Sequence, residues 1–499
     1  MFVHRDGYAI AFDGTELNTP NYYEYLVAYT LNDVDHRLDC TTPLRFLVFV
    51  HGGLNSHATD FKRMVALLSN EHGLLRHEST FYPYFVNWNG DFFDSIVDDV
   101  GRIRLGQARP WWVNAVTAPF VLGRRVLASV VGLPMAWTHS VLNFQEGQRG
   151  AAEDGDTDLG EQYILAAPLQ PIRALTTSVL EAFGTPAWDI MKRRAQLAAA
   201  SRLPVDQSLR VRSIDDPRGV RAARPNEGAA RTFIEALKTR ISRVDDGAMW
   251  NFKTGPCAGR SVRAHITLVG HSMGAIVLNR LLLAAAIPAT PEPAARAAAP
   301  TATHGLPVDN VVYMAPAASV DEFDAFVLPY LRANPRTNFW LFTLSRKDEA
   351  REIGILAAVV VPRGSLLAWI DHFFEPPTTV GQGTLGRSAN VRNYYVADGM
   401  GLDGDSTWAY RLLKPREAPG WWPVQPPFDR ERVRVYVAIN KPVDPVTGDP
   451  RGPVPRHHGE FTEPRFLGEI LCRVDPDAFA PGFCTDRVYR IRLETTRTE

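Results

Sequence analysis

The hydrophobic pattern changes period several times along the chain, and each change marks an element. Leu44–Val50 (LRFLVFV) is an almost continuous apolar run, as expected of a strand covered on both faces of a parallel sheet. Between residues 60 and 69, Phe61, Met64, Val65, Leu67 and Leu68 recur at helical spacing, and 81–88 (FYPYFVNW) returns to a strand pattern. Strand, helix and strand in this order predict a βαβ unit. Ahead of it, residues 22–31 are aromatic and β-branched with polar interruptions, which predicts a further strand. From 91 to 251 the pattern is mainly helical. Within that stretch, residues 110–144 are strongly apolar, and only Arg124, Arg125 and His139 could carry charge. Strand signals resume at 264–269 (AHITLV), followed by an apolar helix over 275–286. Residues 288–307, rich in Ala, Pro and Thr, read as a loop. Short buried strands follow at 311–314 and 339–344, and the alternating 433–439 predicts the last one. The expected organisation is a mostly parallel sheet flanked by helices. Its first part spans 1–95, a helical insertion 96–255, the second part 256–475, and a C-terminal extension 476–499.

Composition narrows the function classes. With 499 residues, 45% of them hydrophobic, the chain can bury a large core. A net charge of −1 offers no global field for nucleic acid. The four cysteines, Cys40, Cys257, Cys472 and Cys484, form no CxxC pair, so a thiolate zinc site is not expected. Nor is a disulfide framework expected in so long a chain, although the Cys472/Cys484 spacing permits one bridge. The N-terminal residues MFVHRDGYAIAFDG lack a signal-peptide core, so a cytoplasmic protein is expected, with membrane-surface contact through 110–144 as an added possibility.

Two motifs carry chemistry. Residues 270–274 read Gly-His-Ser-Met-Gly between an apolar strand and an apolar helix. A G-x-S-x-G sequence is informative in that context, because the turn is sharp enough to need small flanking residues and lifts the serine above the sheet edge. Residues 51–55 read His-Gly-Gly-Leu-Asn directly after the strand 44–50. Other sequences are decoys. Gly381 to Gly386 spell GxGxxG but follow Pro376-Pro377 rather than a strand. Asp398, Asp403 and Asp405 lie in a Gly-rich loop without the EF-hand pattern. Ser365, in PRGSLL, lacks the elbow and reads as structural.

With these motifs in this chain order, the sequence resembles the α/β-hydrolase superfamily of the esterase and lipase type, over roughly residues 22–95 and 262–465. The resemblance implies Ser272 as nucleophile, with acid and histidine following it in the chain. It implies an oxyanion hole from the backbone of Met273 and of Gly53 or Leu54, since attack on a carbonyl needs N–H donors already in place. The acid is expected in the loop SRKDEARE after 339–344. Asp348 is preferred, Glu349 comes next, and Asp321 or Glu322 are the fallback. The general base is expected at His458, beyond the last strand, with His457 next; His372 sits in a helical apolar pattern. The implied reaction is hydrolysis of a carboxylic ester through an acyl-enzyme, with no cofactor and no metal. The implied partner is a small-molecule ester or lipid. Amide or thioester hydrolysis, and a non-catalytic scaffold that keeps the fold, are the alternatives. The apolar stretch with Trp111, Trp112 and Trp137 is expected to overhang the site and favour apolar substrates, or else to be a buried hairpin.

Overall fold

A computed structural model of the chain describes residues 20–53, 57–69, 79–101, 111–153, 167–200, 228–244, 247–286, 305–352, 362–396, 432–438 and 455–480, with some shorter stretches. The architecture is α/β. β1 (Leu44–Val50), β2 (Phe81–Trp88), β3 (Ser261–His271), β4 (Asn310–Met314), β5 (Asn338–Leu344) and β6 (Val433–Ala438) pair in parallel in the spatial order β2-β1-β3-β4-β5-β6. Register is tight across the centre: Val50 pairs with Gly270 on one side and Val86 on the other, and Val269 pairs with Val312. The central residues of these strands are mostly apolar and buried, as in strands whose two faces are both covered. Trp408–Arg411 pairs antiparallel with β6, and Gly247–Asn251 antiparallel with the start of β3; beyond β2, Phe2–Val3 continues the sheet in parallel and Ala9–Ile10 pairs antiparallel with it.

From β1 the chain moves outward to β2, then crosses back to place β3 on the other side of β1. The connections leaving β1 and β3 therefore run in opposite directions. Such a switch point opens a crevice at the carboxyl ends of the two strands. Those ends are His51-Gly52-Gly53 and His271-Ser272-Met273.

The N-terminal region corrects one expectation. Residues 22–31 are not a strand but lie within the helix α1 (Pro20–Arg37). Its buried Val27, Leu31 and Val34 recur at helical spacing, and the i,i+4 pair Asp33–Arg37 closes at 2.6 Å. The three-to-four-residue period of the packed face overrides the strand propensity of its aromatic and β-branched residues. Buried Asp35 anchors this helix, accepting from Arg240, from Trp250 Nε1 at 2.8 Å and from the backbone of Lys253 and Thr254.

The disulfide expectation is also corrected. Cys40 is bonded to Cys257 and Cys472 to Cys484, so all four cysteines are cross-linked. The first pair is 217 residues apart in sequence and meets only because α1 packs beside the entry to β3. Closing so long a loop constrains the unfolded chain, and reduction is expected to cost about 2–5 kcal/mol. Thermal melts with and without dithiothreitol, with bridge formation checked by thiol titration, measure this; an unchanged midpoint would contradict it.

Between β2 and β3 lie α2 (Phe92–Gly101), α3 (Trp111–Val131), α4 (Leu133–Glu153), α5 (Gln170–Ala198) and α6 (Ala229–Lys238). Buried Arg194 on α5 joins Asp98 at 2.6 Å and Ser95 Oγ at 2.9 Å on α2, locking this helical layer to the segment after β2. No single described helix is long and apolar enough to cross a membrane.

Candidate active site

Two residues separate the buried end of β3 from the helix α7 (Gly274–Ala286), so the chain must reverse sharply. Ser272 makes that turn with φ 53°, a left-handed conformation that costs a side-chain-bearing residue about 1–2 kcal/mol. Three backbone hydrogen bonds hold it there. Ser272 N–H donates to Met314 O at 2.9 Å, and Ser272 O accepts from Ala275 at 3.1 Å and Ala317 at 3.0 Å. Glycine is required beside it: a Cβ on Gly274 would stand 2.2 Å from Val50 O and 2.7 Å from His51 O. The two motifs thus meet across adjacent strand ends. A Cβ on Gly52 would stand 2.7 Å from Ser272 Cβ and 2.9 Å from His271 Nδ1. Gly53 faces Met273 Sδ and Met191 Cε, the latter from α5, so the inserted helices reach this loop. Leu54 lies outside the described residues.

The loop after β1 is braced by β2. Trp88 N–H donates to His51 Nε2 at 3.0 Å, and Trp88 Nε1 donates to His51 O at 3.0 Å. Since Nε2 accepts, the His51 proton sits on Nδ1, which faces Asp60 Oδ2 at 2.9 Å. His51 is therefore a strut for the Gly52-Gly53 backbone.

His458 arrives from the other end of the sheet. Its carbonyl accepts from His271 Nε2 at 2.8 Å, and the two rings lie 4.9 Å apart. Its backbone N–H donates to Glu352 Oε1 at 3.0 Å. Only 7% of His458 is exposed. Neither of its ring nitrogens has a hydrogen-bond partner, and the same holds for Ser272 Oγ, His271 Nδ1 and Glu352 Oε2. His458 thus packs on His271, the residue before Ser272, with Glu352 on the His458 backbone, and no hydrogen bond joins Ser272 Oγ to the His458 ring. Burial, reinforced by nearby Arg63, pushes the His458 ring down to about 4. Burial and the neighbouring His458 hold His271 well below its ordinary value. Burial raises Glu352 to about 7, against the opposing effect of the His458 N–H.

The remaining expected residues divide clearly. Asp348 is buried just beyond β5; its Oδ2 accepts from Ser345 Oγ at 2.7 Å, and it makes no hydrogen bond to the His458 ring. Glu349 bonds Arg387 at 3.2 Å, and burial pushes it up to about 8. Glu322 closes a capping box with Ser319, and Asp321 abuts Gly381. His372 bonds Glu146 at 2.6 Å, and His457 is exposed. Ser365 caps a short helix by accepting from Ala368 N at 3.1 Å. The Gly381–Gly386 stretch is a turn whose Thr384 is held by Asp371. Asp398, Asp403 and Asp405 lie outside the described residues. Among the described residues no cluster of three or more His, Cys, Asp or Glu could hold a metal ion. Sequence reasoning did not single out Glu352 or His271. Glu352 ends the same acidic run as Asp348, and His271 stands inside the GHSMG motif; spacing alone did not distinguish them from solvated or core residues.

Comparison with protein-family models, curated proteins and solved structures finds no match to this chain.

Proposed function

We propose that the chain is a serine hydrolase of the α/β-hydrolase type that cleaves carboxylic esters. The observation that carries this reading is Ser272, held in a left-handed turn at a switch point of the sheet, with Gly52 packed against it and Gly53 against the next residue, Met273. A strained strand-to-helix turn is an expensive way to place a serine, and nucleophiles are where such strain is retained. In the proposed reaction Ser272 Oγ attacks the ester carbonyl and His458 takes its proton. The backbone N–H groups of Met273 and of Gly53 or Leu54 receive the oxyanion. Collapse expels the alcohol, protonated by His458, and leaves an acyl-enzyme. Water, deprotonated by His458, then releases the acid and restores the serine. Asp348 is the proposed partner of the imidazolium, with Glu352, which already contacts the His458 backbone, as the competing carboxylate. Comparing Asp348→Asn with Glu352→Gln separates them: the orienting acid is the one whose loss lowers kcat.

The unpaired His458 ring favours a second reading, a hydrolase-fold protein without turnover. One experiment decides between the two. A fluorophosphonate probe should label the wild-type protein at Ser272, mapped by peptide mass spectrometry, and should not label Ser272→Ala. An unlabelled Ser272 in folded protein would leave the non-catalytic reading standing.

The pH profile follows from the burial of His458. Its ring is held below the ordinary histidine value, so the proton-accepting form persists until the pH falls to about 4. The acid limb of kcat/KM, which reports the free enzyme, is expected near pH 4. Removing the nearby positive charge with Arg63→Gln should move the limb upward. A wild-type limb at the ordinary histidine pKa would contradict a buried, unpaired base.

A further inference from the structure

We infer that the helical hairpin formed by α3 and α4 docks onto an anionic lipid bilayer, lying in its interface rather than crossing it. This is independent of the reaction assigned to Ser272. Exposed apolar surface is concentrated here. Of the twenty large hydrophobic residues that stand exposed among the described residues, ten lie on α3 and α4. Phe120 alone is 77% exposed.

The pattern on α3 shows what kind of surface this is. Val113, Thr117, Val121, Arg125 and Ser129, four residues apart, are partly or fully buried, and α3 packs against α2 and α5. Around them Phe120, Leu122, Val126, Leu127, Val130 and Val131 are all exposed. At 3.6 residues per turn the exposed apolar positions sweep an arc of roughly 180°. A partner helix or a second copy of the chain needs a stripe about 100° wide. An apolar arc covering about half the circumference suits a fluid apolar solvent that wraps the helix.

Two further observations select an in-plane seat and its lipid. The segments Val116–Val131 and Leu133–Arg149 are apolar enough together, yet they meet at a bend of 63° and neither can span a bilayer alone. Arg102, Arg104 and Arg109 immediately precede α3 in the sequence, α3 carries Arg124 and Arg125 and no aspartate or glutamate, and α4 carries Arg149 with Glu146 and Glu153. Arg125 is paired with Asp99 at 2.9 Å and Glu146 with Arg387 and His372, while Arg124 is exposed beside the apolar arc. An amphipathic hairpin preceded by an arginine-rich segment is attracted to anionic headgroups while its apolar residues enter the acyl boundary.

The test uses the full chain and extruded vesicles of two compositions, pure phosphatidylcholine and three parts phosphatidylcholine to one part phosphatidylglycerol. The protein is expected to float with the anionic vesicles at least tenfold more than with the neutral ones. The triple substitution Leu127→Glu, Val130→Glu and Val131→Glu should reduce that binding at least tenfold. These side chains are exposed, so circular dichroism and fluorophosphonate labelling of Ser272 should not change. Absence of flotation with the anionic vesicles, flotation insensitive to the triple substitution, or equal binding to both compositions would overturn the inference. So would a solution dimer that the substitution dissociates, which would assign the surface to a second copy. Labelling of Ser272 is read separately, so failure to dock is distinguishable from failure of the hydrolase reading.

Discussion

Replacing Ser272 by alanine is expected to lower kcat for a short p-nitrophenyl ester by on the order of 10⁴- to 10⁶-fold, with no loss of stability. The expectation has a kinetic and a thermodynamic half. Without the Oγ there is no atom to carry the acyl group, and the backbone donors supply only residual acceleration. Ser272 Oγ makes no hydrogen bond, so removing it breaks none. The backbone strain resides in φ 53°, which alanine retains and glycine relieves. Ser272→Gly should therefore be inactive and as stable as the parent, or more stable by up to about 1 kcal/mol after the entropy of glycine in the unfolded chain is subtracted. Ester turnover and urea denaturation measured on both variants test the two halves together. Full turnover in Ser272→Ala would exclude it as the nucleophile, and strong destabilisation of Ser272→Gly would contradict the strain.

Arg387→Met is expected to destabilise the fold by about 3–5 kcal/mol, the largest stability effect of any single side chain discussed. Arg387 is buried and serves three carboxylates at once: Asp371 at 2.9 Å, Glu349 at 3.2 Å, and Glu146 of α4. His372 adds a second bond to Glu146. Burial opposes a charged guanidinium, and the three carboxylates hold it charged well above its ordinary value. Methionine fills most of the volume but removes the guanidinium that the three carboxylates share, and buried Asp371 and Glu349 must then protonate or admit water. Arg387→Lys should fall between, because one ammonium cannot reproduce a planar fork with three partners. The shift in urea midpoint at constant m-value measures the effect. A change under 1 kcal/mol would show that the cluster is solvated.

The same cluster explains why part of the site was hard to read in the sequence. Asp348 and Glu349 are adjacent and equally suited to follow a strand, yet Glu349 is turned to Arg387, 38 residues later, and Asp348 to Ser345. His372 had the right residue type and chain order, but Glu146, 226 residues earlier, holds it elsewhere. Glu352 reaches His458 across 106 residues. In each case the partner belongs to a remote element, and local spacing carries no record of it.

Elements with a local cause are legible in the order of residues alone. Mostly apolar runs specify strands covered on both faces, as in Phe46–Val50 of β1, because an unpaired polar side chain there would lose its water. The strand-turn-helix around Ser272 was equally legible, since only small neighbours fit where Gly274 meets the carbonyls of β1. Tertiary structure decided whatever depends on two distant segments meeting. It made residues 22–31 a helix, because burial of Val27, Leu31 and Val34 outweighs local propensity. It joined Cys40 to Cys257, and it brought His458 to His271 across 187 residues. It also left the hairpin arc uncovered: periodicity shows that a helix is apolar, but only the packing of its neighbours decides which apolar faces they cover.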